Sequence, residues 1–145
     1  MPESSIVDCE LCKGGGGELL WKDSFCRVVG VDEPGFPGFC RVILGAHVRE
    51  MTDLDGPDRE RLMKVVLCVE EELRRLFEPD KMNLASLGNL TPHVHWHVIP
   101  RFAGDSHFPR PIWTEPVRPA NPRSIPGDWK ARLARELSGR LGSVS

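Results

Sequence analysis

His93-Val94-His95-Trp96-His97-Val98-Ile99-Pro100-Arg101 is the stretch that decides the fold of this chain. Histidines alternate with Val, Trp and Val, and in an extended strand successive side chains fall on opposite faces. The pattern predicts a strand with one apolar, buried face and one face bearing three imidazoles, their Cα atoms about 6.6 Å apart. Three of the five histidines in the chain stand on that face. Imidazole titrates near neutral pH, ligates metals and takes up phosphoryl groups. Three readings compete. Surface or satisfied core histidines are the default for one residue and a poor account of three. A catalytic metal site wants carboxylates close by in sequence, and none lies between Lys81 and Gly104. In the third reading one imidazole is a nucleophile, and its neighbours position or polarise the group under attack.

Working outward, Gly88-Asn89-Leu90-Thr91-Pro92 is a turn into the histidine strand, and Met82–Leu87 reads as the strand before it. Further upstream lies a long helix. Asp55 caps it, Pro57 suits its first turn, and Asp58 and Glu60 suit the positive end of its dipole. Leu62, Val66, Val69, Leu73 and Leu76 form its apolar stripe. Glu70, Glu71, Glu72, Arg74 and Arg75 read as its solvated face, and it should stop at Glu78, before Pro79. Glu18–Lys22 and Ser24–Val31 read as a hairpin, and Phe39–Leu44 as a third strand ending at His47. Arg27 and Arg41 would lie on a solvated face or reach towards a ligand, and the solvated face is the expectation for each. Short connections between these elements predict an α+β fold: an antiparallel sheet of about five strands, with one long helix on a face and a C-terminal helix.

Residues 103–126 hold six of the thirteen prolines. They predict an extended segment that wraps over a surface, with His107 and Trp113 placed to cover the site or to pack. A last helix near Asp128–Leu141 puts Trp129, Leu133, Leu137 and Leu141 on one face, to dock on this chain or on a partner. Residues 1–102 are thus a core, and 103–145 a wrapping segment and helix of the same domain.

The chain is 145 residues long with a net charge of −2, ample for one core and a poor match for a broad nucleic-acid footprint. Met1–Ser5 has neither a basic nor an apolar leader region, and the longest apolar run, Val65–Val69, is far too short to span a membrane. Five cysteines in a chain of this size suit a reducing cytoplasm. Two of them, Cys9 and Cys12, form a C-x-x-C pair before Gly14-Gly15-Gly16-Gly17. Half a zinc site, a redox pair and coincidence are the options; the glycine run denies the following helix that a redox pair wants.

The motif His-apolar-His-apolar-His-apolar-apolar at 93–99 resembles the signature of the histidine triad (HIT) family. The C-x-x-C pair, an Asp after the second strand, Gly38 to His47, the long helix and the Asn83 strand follow that family in order and spacing. The likeness covers about residues 8–102, and the chain closely resembles the bacterial branch described as diadenosine-polyphosphate-hydrolase-like. It implies a structural zinc held by Cys9, Cys12, His47 and His93. It implies His95 as the nucleophile that takes a nucleotidyl group from an α-phosphate, and His97 as the residue that contacts phosphate oxygens and helps the leaving group depart. That chemistry requires no catalytic metal.

Asp32 matches the family's ribose-binding acid, with a simple turn aspartate as the competing reading; Asn83 and Asn89 complete the expected substrate contacts. The implied substrates are dinucleoside polyphosphates, nucleoside phosphoramidates or adenylylated metabolites, and the implied assembly is a homodimer. A nucleotide-binding regulatory protein with little turnover is the alternative. The chain departs from the family in two places. Phe39 stands where many relatives carry a further His, and Gly88-Asn89-Leu90 where Gly-Gln-Ser is common.

Overall fold

The structure, a computed structural model, describes residues 8–142; Met1–Ser5, on which the leader expectation rests, lies outside them. The first hairpin is set by one side chain. The Asp23 carboxylate accepts from the backbone N–H groups of Phe25 and Cys26, both at 2.8 Å. Those donors are lost to the ladder, so the second strand begins later than its sequence pattern: β1 is Glu18–Lys22 and β2 is Cys26–Gly30. A register shift between Leu19 and Trp21 lets consecutive residues, Leu20 and Trp21, both bury.

β3 is Cys40–Leu44, β4 Lys81–Ala85 and β5 His95–Arg101. The sheet runs β1-β2-β3-β5-β4 with every neighbouring pair antiparallel. The expected α+β architecture with five antiparallel strands is the observed one. Pro100 lies beyond the last β5 residue paired with β3, Val98, so its missing N–H breaks no ladder on that side.

One face of the sheet carries Val28, Val42, Leu44 and Val98 against the long helix, here α2, Gly56–Phe77. Asp55 caps α2 by accepting from Asp58 N, and Glu78 ends it in the left-handed region. Gly38 holds β3 close under α2: at φ +85° it takes a conformation that favours glycine, and a Cβ there would come within 2.6 Å of the Phe77 ring. The C-terminal helix α3, Trp129–Leu141, docks on this chain's α2 and buries Trp129, Leu133 and Leu137. That docking corrects one expectation. Glu72 is buried, and it accepts from Arg140 of α3 at 2.8 Å and from Arg75 at 2.9 Å.

The opposite sheet face carries the histidines, Ile43, Ile99 and Phe39. Residues 103–126 cross part of it without helix or strand. Arg101 fastens that segment: fully buried, it donates from Nε and Nη2 to the Asp105 carboxylate at 2.8 and 3.0 Å. Arg118 returns to the carbonyls of Asp105 and Phe108. No helix among the described residues is long and apolar enough to cross a membrane.

Candidate active site and metal-binding cluster

The histidine strand starts later than its alternation suggests. His93 N donates to Thr91 O, and Val94 N donates to Val48 O at 2.7 Å. His93 and Val94 are thereby tied to the turn and to the segment after β3, and β5 proper begins at His95. The imidazoles still share one face, but they sit in different surroundings.

His93 lies beside the N-terminal cysteines. The glycine run does not keep helix away from the C-x-x-C pair. A single turn, α1 (Glu10–Lys13), forms within it and stops at Gly14, and Cys9 O accepts from the N–H groups of Cys12 and Lys13. This turn aims both thiols one way. Cys9 Sγ is 3.5 Å from His93 Nδ1, and Cys12 Sγ is 3.5 Å from His93 Nδ1 and 3.3 Å from His47 Nδ1. Ligand atoms of Cys9, Cys12, His47 and His93 all lie within 4.8 Å of one another, a set able to hold a metal ion. His93 Nε2 donates to the Leu44 carbonyl at 2.6 Å. A carbonyl can only accept, so the proton sits on Nε2 and the Nδ1 lone pair faces the thiols.

His95 uses its other nitrogen. Its Nδ1–H donates to the His93 carbonyl at 2.6 Å, which leaves the Nε2 lone pair unprotonated. Burial holds its pKa below the ordinary imidazole value. His97 follows two residues on, its ring edge-on to His95, Phe39 and Trp113 at 5.0, 5.7 and 4.9 Å between centroids. Arg41, its cross-strand partner, donates from Nε to His97 Nδ1 at 3.4 Å. Burial, then electrostatic coupling to the His95 imidazole and the positive charge of Arg41, brings the His97 pKa down to about 4. His97 is therefore neutral at pH 7 with its proton on Nε2. A cavity of about 440 Å³ opens before these two rings, bounded by Arg41, Asn89, Thr91, Leu11 and Trp113 among others.

The HIT domain family model matches residues 17–104. The chain belongs to the HIT family. An AP-4-A phosphorylase of Mycobacterium tuberculosis is 28% identical over 81 residues, 52% of this chain and 42% of that protein, so the chain spans about two-fifths of the length of that curated relative. A histidine triad protein of Marinobacter aquaeolei superposes with a TM-score of 0.68 at 26% identity, covering 90% of this chain and 93% of that one. A Zn-bound HIT family protein of Mycobacterium smegmatis superposes at 0.64 and 20% identity, covering 94% and 98%, a likeness of fold.

Within this HIT fold the expected site residues divide. Cys9, Cys12, His47 and His93 come together, and His95, His97 and Asn89 share the cavity. Asp32 and Asn83 lie outside its lining. Asp32 pairs with Lys130 Nζ of α3 at 2.9 Å and is largely exposed. The side-chain Oδ1 of Asn83 accepts from Arg101 Nη1 at 2.9 Å. The two strand arginines are not solvated. Arg27 donates to the carbonyls of Leu11, Gly14 and Gly15, closing the loop after α1. Arg41 donates to Gly16 O and reaches the cavity. The signal for Arg41 was its phase: it stands two residues from both Phe39 and Ile43, on the same, histidine side of the sheet.

Proposed function

We propose that this HIT protein is a nucleotidyl hydrolase or transferase acting at the α-phosphate of nucleotide conjugates. One observation carries the reading: the His93 carbonyl holds the Nδ1 proton of His95 and leaves Nε2 as a nucleophile at the cavity. In the proposed step Nε2 attacks phosphorus, a P–N bond forms, and the leaving group departs with the bonding pair. The imidazolium thus created keeps its Nδ1–H on the carbonyl, which stabilises the new charge. His97, neutral with an Nε2 proton, donates to the phosphoryl oxygens and the departing atom. Water then attacks phosphorus and releases the nucleoside monophosphate and free His95. The relation to an AP-4-A phosphorylase supports a nucleotide ligand. In this reading Asn89 contacts the phosphate end of the ligand; Asp32 reaches ribose by exchanging Lys130, and Asn83 acts through Arg101.

Zinc is the metal proposed for the cluster. Tetrahedral zinc, with bonds of about 2.3 Å to sulfur and 2.0–2.1 Å to nitrogen, places sulfur and nitrogen about 3.5 Å apart; the Sγ···Nδ1 distances here are 3.3–3.5 Å. Four protein ligands leave no open position, so this zinc would hold α1 against the sheet. The outer edge of β4, unpaired among the described residues, and the partly exposed Leu84 support a homodimer along that edge. Five free thiols suit a reducing cytoplasm.

The test is covalent. Wild-type protein given an AMP conjugate labelled in the α-phosphate, then quenched, should carry labelled AMP, and His95→Ala should carry none. A wild type that binds AMP yet never forms the adduct would overturn the enzyme reading in favour of a regulatory nucleotide binder.

A further inference from the structure

Charge and apolar surface are unevenly shared in the histidine cavity. Among the described residues, Arg41 is the one Lys or Arg that lines it, and Glu10 the one carboxylate. Leu87, Leu90 and Trp113 stand at the same opening, 54%, 98% and 49% exposed. Single exposed leucines need no explanation. Two leucines and an indole around a cavity that holds a nucleophile form a contact surface.

Arg41 is aimed from three sides: by His97 Nδ1, by the Gly16 carbonyl at 3.1 Å, and by the Phe39 ring at 5.4 Å. A guanidinium has five N–H donors in a planar fork; the two bonds leave donors for one oxyanion. Trp113 touches the ring of His97, the residue placed above at the departing atom. The backbone that carries Trp113 is fixed on both sides, by Asp105 on Arg101 and by Arg118 on Phe108 O.

A tetraphosphate bridge brings about four negative charges, and recognition of such chains takes several cations or a metal ion. One guanidinium opposite one carboxylate does not balance them, and the apolar rim would strip them of water. A phosphorus with a single ionised oxygen matches Arg41. We propose, resting on the nucleotidyl-transfer reading, that Arg41 and Trp113 are specificity-determining residues. They select nucleoside monophosphate conjugates whose only charged phosphorus is the one attacked, with an aromatic or apolar leaving group seated between Trp113 and Leu87–Leu90.

The test compares three ligands by calorimetry without divalent cations: AMP, its phenyl ester, and diadenosine tetraphosphate. Titrations use the wild type and His95→Ala, which removes turnover. The ester should bind at least about tenfold tighter than diadenosine tetraphosphate. Trp113→Ala should weaken the ester about tenfold with little change for AMP, and Trp113→Phe should restore most of the loss. Arg41→Ala should weaken AMP and the ester alike, with Arg41→Lys intermediate. Diadenosine tetraphosphate binding as tightly as the ester, or an ester affinity indifferent to Trp113→Ala, overturns the proposal; if the His95 adduct still forms, nucleotidyl transfer survives. Tight, Trp113-dependent ester binding with no adduct upholds the preference and removes the transfer reading instead.

Discussion

His93 and His95 are two residues apart on one sheet face, yet the backbone takes a different nitrogen from each. His93 gives its Nε2 proton to the Leu44 carbonyl and turns Nδ1 to Cys9 and Cys12. His95 gives its Nδ1 proton to the His93 carbonyl and keeps Nε2 for the cavity. The first belongs to a cluster of four side chains able to hold a metal ion. The second belongs to an open cavity that it shares with Arg41, Asn89, His97 and Trp113. In each case a carbonyl 2.6 Å away fixes the tautomer, and the tautomer fixes which chemistry the ring can do.

The widest separation between the two regions comes from removing a ligand. Structural zinc is worth about 10 kcal/mol or more in small zinc modules, comparable to the whole stability of a domain. Metal analysis of the wild type should find about one zinc per chain, and Cys9→Ser and His47→Ala should each lose it and lower Tm by more than about 10 °C. Cys40→Ser should keep the metal, because that thiol is buried in the core and pushed well above the ordinary thiol pKa. Equal metal content in all three variants would break the comparison at its first half. His95→Ala should do the reverse, keeping zinc and Tm while lowering nucleotidyl turnover by about 10³-fold or more.

Much of this was legible in the chain. Alternation around Trp96 assigned faces, and the 3–4 spacing of Leu62 to Leu73 assigned the helix that covers one of them. What alternation cannot give is a neighbour. Arg41 was legible as a strand residue, but its place beside His97 depends on the β3–β5 register. Asp32 was legible as the acid after the second strand; its partner Lys130 is 98 residues away, on a helix whose docking no local pattern fixes. Glu72 reads as solvated for the same reason until Arg140 arrives. The turn at His93 is the remaining gap: Pro92 and the backbone bond to Thr91 override an alternation that continues unbroken in sequence.

A smaller effect probes how the cavity keeps its cover. Asp105 is buried against Arg101 and also accepts from the N–H groups of His107 and Phe108. Burial raises its pKa, but Arg101 and those two backbone donors outweigh it, and the net shift is downward. A depressed carboxyl contributes stability above its unfolded value of about 3.9 that is lost as pH falls through the folded pKa. Trp113 should therefore stay against His97 at pH 5 and come free only below about pH 4, read as a fluorescence shift. Asp105→Asn should cost about 3 kcal/mol at pH 7, since it leaves the Arg101 guanidinium buried without its counter-charge. A denaturation midpoint unchanged by that substitution would refute the clamp.

The finest test concerns His97, which has neither a metal partner nor a backbone carbonyl to set its proton. Its pKa of about 4 comes from burial first, then from His95 on its own strand and Arg41 on β3; Glu10, across the cavity, carries the opposing charge. Because the folded pKa lies below the unfolded imidazole value of about 6.5, the unfolded chain binds more protons between the two. His97 thus contributes stability that is complete above about pH 6.5 and declines as pH falls towards 4. Its ring carbon signal in NMR should show no titration between pH 8 and about 5. Arg41→Leu should move the His97 midpoint upward while leaving metal content alone. A His97 that titrates near 6.5 in the wild type would make it a cation at its working pH, and the neutral-donor role proposed for it would fall.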